Sequence, residues 1–99
     1  MGTIHAMWEV YEHRRVAKQL ASLPVELLKR YEKWKDIARL SGPLGLRQIK
    51  GFHDEALQGK QEGRRSSRLG IQYRVIYKVG TTNQMFLVIS ITPHDYRRA

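Results

Sequence analysis

Glu55, Arg68, Arg74, His94 and Tyr96 are the residues of this chain whose types could do chemistry together. A carboxylate can take a proton, and a histidine can give one because its ordinary pKa of about 6.5 lies near working pH. Two guanidiniums offer forked donors that match phosphate oxygens, and charge held in advance of the reaction is often the largest catalytic contribution. These are the needs of metal-independent RNA cleavage. A base activates the ribose 2′-hydroxyl, cations hold the extra charge of a phosphorane-like transition state, and an acid protonates the departing 5′-oxygen. In that scheme Glu55 is the base, Arg68 and Arg74 are the cations, His94 is the acid, and Tyr96 stacks on an unstacked base or orients the phosphate. Plainer readings stand beside it: Glu55 as a solvated carboxylate on a surface connection, the arginines as the coat of an exposed sheet, and His94 and Tyr96 as caps on the last strand.

Other chemistries find less support. The four histidines are scattered and cysteine is absent, so no zinc-ligand spacing exists and no metal or cofactor is expected. No glycine-rich loop follows a strand to open a helix, and no nucleophile elbow occurs.

The elements that must position these residues can be read from the pattern. Residues 63–77 look like two strands meeting at a tight corner. Alternation sends Arg64, Ser66 and Arg68 to one face and Arg65, Ser67 and Leu69 to the other. In the second strand Tyr73, Val75 and Tyr77 share a face, which leaves Arg74 opposite, with Gln72, Ile76 and Lys78. Residues 8–11 read as a short strand that runs into a helix beginning near His13, with Val16, Leu20 and Leu23 at helical spacing. Pro24 then opens a second helix that extends to about Leu40. Its apolar stripe is Leu27, Tyr31, Trp34 and Ala38, widened by Leu28 and Ile37, and it is expected to lie on the sheet as half of a helical hairpin. Ser41, Gly42, Pro43 and Gly45 should end this helix. Residues 46–63 read as a long mixed-charge connection, of the kind that is either functional or mobile. Residues 80–83 supply a hairpin turn. Residues 85–92 form a strand buried on both faces, and Pro93 breaks it. The expected fold is α+β: an N-terminal strand and a two-helix hairpin packed on one face of a curved, mainly antiparallel sheet.

Ninety-nine residues make one domain, 1–99, with residues 1–6 free of any periodicity. Eighteen Lys and Arg against 9 Asp and Glu leave a formal charge of +9, which favours a polyanionic partner, most often nucleic acid. Lys50, Lys60, Arg64, Arg65, Arg97 and Arg98 are expected to contribute this attraction to RNA. No apolar run approaches the roughly 20 residues that span a bilayer, and the start lacks a signal-peptide pattern. A soluble, cytoplasmic protein without membrane contact is therefore expected.

The run R-S-S-R-L-G-I-Q-Y-R-V-I-Y at 65–77 and the ending I-T-P-H-D-Y-R-R at 91–98 resemble the RelE/ParE superfamily of toxins from type II toxin–antitoxin pairs, above all the YoeB-like and HigB-like messenger RNA interferases. The resemblance extends over nearly the whole chain from Trp8. It implies a RelE-like fold and a ribosome-dependent endoribonuclease that inhibits translation. Glu55 falls at the position of the YoeB-like general base, Arg68 and Arg74 at those of the strand arginines, and His94 at that of the acid. Asp95 separates the histidine from the tyrosine, which are adjacent in YoeB-like members. Gln58 stands where those members carry a lysine, a role open here to Lys60 or Arg65. The implied partners are a cognate antitoxin, the ribosome through its 16S rRNA and A-site mRNA, and operator DNA for the toxin–antitoxin complex. Two alternatives use the same fold: a ParE-like inhibitor of DNA gyrase, and a non-catalytic RNA-binding module.

Overall fold

Residues 7–93 are described by the computed structural model. The elements are β1 (Glu9–Glu12), α1 (Arg15–Ala21), α2 (Val25–Gln48), a 3-10 turn (Lys50–Phe52), β2 (Glu55–Ala56), a second 3-10 turn (Gly59–Gln61), β3 (Arg65–Arg68), β4 (Tyr73–Gly80) and β5 (Met85–Pro93). The strands form one open sheet in the order β1-β5-β4-β3-β2; β1 pairs with β5 in parallel and the other ladders are antiparallel. This is the expected α+β architecture, with both helices contributing to a core on one face of the sheet.

The core follows from the helical stripe. Tyr31, Trp34 and Ala38 are fully buried, and Leu27, Leu28 and Ile37 pack against them. The Trp34 ring meets Tyr77 edge-on at 5.2 Å and Phe86 at 5.9 Å, so α2 is fastened to β4 and β5 through aromatic contacts. Each large apolar side chain buried this way stabilises the fold by about 1.5–3 kcal/mol. Polar links help to set the helices on the sheet. Gln19 Oε1 accepts the Ile91 backbone N–H at 2.7 Å, and the Tyr31 hydroxyl donates to Glu12, whose carboxylate also lies 3.8 Å from Lys35 Nζ. Burial, and then the hydrogen bond to Glu12, push the Tyr31 hydroxyl well above its ordinary pKa.

Three differences from the sequence reading have physical causes. The second helix does not stop near Leu40: α2 breaks at Gly42 (φ 66°) and resumes for its last turns through Pro43 to Gln48. Pro43 suits the first turn of a restarted helix, and the resumed part buries Leu46 completely. Glycine is required at the break, because an added Cβ would sit 2.7 Å from Trp8 Nε1 as well as at positive φ. The connection at 46–63 is likewise more ordered than a loop: it holds the end of α2, both 3-10 turns and the two-residue strand β2. Pro93 is the last residue of β5, opposite Tyr73, and does not interrupt it, since a proline at a strand end leaves the preceding ladder bonds intact.

A register shift completes the frame. Ile76 faces Ser90 but Tyr77 faces Val88, so Ile89 is an extra residue on β5. This bulge lets Val88 and Ile91, three residues apart on β5, both face the core opposite Tyr77 and Val75.

Candidate active site

β3 and β4 pair Arg68 directly with Arg74, and β2 brings Glu55 opposite Ser66. Paired residues project to the same face. Glu55, Ser66, Arg68, Arg74 and Thr92 therefore share the sheet face opposite to that of Tyr77. Arg74 Nη2 lies 3.3 Å from Glu55 Oε1; the arginine side chain is 17% exposed and the glutamate 58%. Arg74 Nε is buried and has no acceptor among the described residues. The Arg68 side chain has no ion pair or hydrogen bond among the described residues. Like charges set directly across a ladder oppose one another, so two cations here cost stability that a third group has to offset. Glu55 offsets part of it from one side, and an anion on the open side would offset the rest.

What holds Glu55 in place lies behind it. Its neighbour Asp54 points the other way, into the interior, with a fully buried carboxylate. One carboxylate oxygen accepts from Arg65 Nε at 2.8 Å, and the other accepts from Ser67 Oγ at 2.6 Å and from the Tyr77 hydroxyl. Phe52 is buried just before, and His53 between them takes a left-handed backbone (φ 43°) unusual for a residue with a side chain. Two buried anchors on either side of a strained residue fix where Glu55 emerges. Burial first, and then the hydrogen bond to Asp54, raise the Tyr77 hydroxyl far above its ordinary pKa, with Arg65 pulling in the opposite direction. Burial alone would lower the Arg65 pKa, but the Asp54 carboxylate outweighs it and the net shift is upward.

The expected residues thus divide. Glu55, Arg68 and Arg74 come together on one face. Arg65 is on the other face, held by Asp54 with its side chain 19% exposed, so it is not part of that group. Lys50 and Lys60 are exposed on the two 3-10 turns at the β2 edge, and Arg64 donates to Gln61 at 3.1 Å. His94, Tyr96, Arg97 and Arg98 lie outside the described residues. The sequence reading missed Asp54, Ser67 and Tyr77 as the support of the site; their separation along the chain gave no local signal. Among the described residues, no three His, Asp or Glu gather where a metal ion could be held.

Neither a protein-family model nor a curated protein matches the chain, whereas solved structures do. One is the archaeal RelE–RelB complex from Pyrococcus horikoshii, 27% identical, with a TM-score of 0.73 over 90% of this chain and 97% of that one. The YoeB–YefM complex from Staphylococcus aureus matches at 14% identity and a TM-score of 0.69, over 89% of this chain and 98% of the other. The Escherichia coli DinJ–YafQ toxin–antitoxin complex matches at 14% identity and a TM-score of 0.66, over 88% and 92%. Coverage of both chains is nearly complete in these matches, and the chain has the RelE-like fold that these toxins share.

Proposed function

We propose that the chain is the toxin of a type II toxin–antitoxin pair and acts as a metal-independent, ribosome-dependent messenger RNA endonuclease. The observation that carries this reading is the Arg68–Arg74 cross-strand pair with Glu55 3.3 Å from Arg74 on the same open face. Glu55 takes the proton of a ribose 2′-hydroxyl, and the freed oxygen attacks the adjacent phosphorus. The new P–O2′ bond forms as the P–O5′ bond breaks, leaving a 2′,3′-cyclic phosphate on one fragment. The departing 5′-oxygen takes its proton from His94. Arg68 and Arg74 bind the non-bridging oxygens, where charge builds up in the transition state. The long, half-exposed Glu55–Arg74 contact suits this exchange, because an incoming phosphate can replace the carboxylate on Arg74. Tyr96 is assigned to stack on a base or orient the phosphate.

The charge of +9 would draw the protein to ribosomal RNA and the A-site message, with Lys50, Lys60, Arg64, Arg97 and Arg98 contributing. Solved relatives are complexes with RelB, YefM and DinJ, and a cognate antitoxin is the corresponding partner here. Operator DNA would be bound by that complex. The cytoplasm is the place of action this reading requires.

The test is expression without antitoxin, followed by mapping of message ends. Cuts within translated codons that vanish in Arg74→Ala support the reading. Intact messages during growth arrest would overturn it, and halted DNA supercoiling in the same cells would indicate gyrase as the target.

A further inference from the structure

A cavity of about 190 Å³ opens beside Arg68, between α2 and the first 3-10 turn. Arg30 and Lys33 line it from α2, Ile49, Gly51 and Phe52 from the segment after α2, and Arg68 from the end of β3. Three of these six residues are cationic and none is acidic. On α2 from Val25 to Arg39, Lys29 lies 3.7 Å from Glu26, Lys35 lies 2.7 Å from Glu32, and Arg39 lies 3.3 Å from Asp36. Arg30 and Lys33, the two that line the cavity, have no carboxylate partner among the described residues. Arg30 is also fixed in place: its Nη1 donates to the Leu69 carbonyl at 3.0 Å, which leaves its other N–H groups available. Phe52 and Ile49 add an apolar wall, and the volume is below the roughly 300 Å³ at which pockets begin to hold whole drug-sized ligands. The chemistry that fits is one phosphate with part of its sugar. Arg68 connects this cavity to the paired Arg74 across the ladder.

We propose that the cavity binds the phosphate of the RNA nucleotide next to the linkage that is cut, through Arg30 and Lys33, with Arg68 shared between the two phosphates. This rests on the RNA-cleaving reading of the Glu55–Arg74 face and adds to it a second subsite that sets the path of the strand. Gly51 offers an independent way to close it. Gly51 is on the cavity wall, a Cβ added there would meet nothing within 4 Å, and its backbone is not in the left-handed region, so a large side chain can be placed at the cavity without changing any charge.

The experiment is fluorescence-anisotropy titration of a short single-stranded 2′-O-methyl RNA, which cannot be cleaved, against the full chain at several salt concentrations. The Arg30→Gln/Lys33→Gln double variant should bind about tenfold more weakly. Its log K against log salt slope should be shallower by about 0.7, the value for one phosphate on a single strand. Gly51→Phe should show a similar loss of affinity, and circular dichroism should show both variants folded. Wild-type affinity and slope in the double variant, or wild-type affinity in Gly51→Phe, would overturn the proposal. So would an inorganic-phosphate site that disappears in the double variant while RNA affinity is unchanged, since the cavity would then take free anions and not the strand. Cellular message mapping separates the two levels. Cut messages with unaltered RNA affinity in these variants would sink the subsite alone, and intact messages with the predicted affinity losses would sink cleavage while the subsite stands.

Discussion

Asp54 and Glu55 are adjacent carboxylates that each reach an arginine, one on either face of the same sheet, and the two pairs are built differently. The Asp54 side chain is fully buried, its ion pair with Arg65 measures 2.8 Å, and Ser67 and Tyr77 complete its hydrogen bonding. Glu55 is half exposed, its contact with Arg74 is 3.3 Å, and Arg74 retains an unused buried donor. A buried charge has to be fully partnered, because the interior does not solvate it. An exposed pair contributes little and can be exchanged at little cost. The contrast separates a scaffold from a proposed working site within two consecutive residues, and it can be tested from both ends.

The largest expected effect is on the buried side. Asp54→Ala should destabilise the fold by about 3–5 kcal/mol, because it leaves the Arg65 guanidinium, the Ser67 hydroxyl and the Tyr77 hydroxyl without their shared acceptor. Urea unfolding of the variant measures this. A loss below about 1 kcal/mol would place Asp54 and Glu55 in the same class and remove the distinction.

Next in size is Arg74→Ala, whose effect belongs to activity and not to stability. Cleavage of translated messages should fall by about 10²–10³-fold, the scale of a lost preorganised donor to the transition state. Arg74→Lys should recover only a fraction, since an ammonium keeps the charge and loses the forked geometry. Full activity in the lysine variant would reduce Arg74 to a point charge attracting phosphate, as in an RNA-binding module.

How much of this could be read from the chain depends on the range of the forces involved. The α2 stripe from Leu27 to Ala38 was legible because helical periodicity is local, and so was the separation of Arg74 from Tyr77, because alternation along a strand is local. Glu55 could be singled out as a chemical group, but not as a strand residue: β2 is two residues long and exists only through its pairing with β3. Asp54 was invisible for a related reason. Its partners lie 11, 13 and 23 residues away, and an aspartate in a mixed-charge segment looks solvated until the fold buries it. The ion pair of Arg65 with Asp54 was hidden for the same reason, since the neighbours of Arg65 in sequence are surface-like and its partner is not among them.

The buried side should also respond to pH, with a smaller effect. The folded chain holds Tyr77 and Tyr31 protonated well above the ordinary tyrosine value, through burial and then through the hydrogen bonds to Asp54 and Glu12. Below about pH 10 both folded and unfolded chains keep these protons and the stabilisation is complete. Above it the unfolded chain releases them first, so stability falls as pH rises, by up to about 1.4 kcal/mol per pH unit for each tyrosine. Urea unfolding between pH 9 and pH 11 measures the slope. It should be shallower in Tyr77→Phe, which has one fewer proton to lose, and an unchanged slope would mean that Tyr77 titrates alike in both states.

The smallest expected effect sharpens the comparison most. Glu55→Gln removes the charge of the exposed pair but keeps the shape of the side chain. With the glutamate 58% exposed, the 3.3 Å contact should be worth no more than about 1 kcal/mol in urea unfolding. Its loss could even be partly offset, because an amide oxygen can still accept from Arg74 Nη2. Cleavage of translated messages should nevertheless collapse, since an amide cannot take the 2′-hydroxyl proton. A variant that folds as well as the parent and no longer cuts would show that Glu55 is kept for its chemistry. A variant that loses several kcal/mol would mean instead that Glu55 is scaffold like Asp54, and the proton would have to go to another group on the Arg68–Arg74 face.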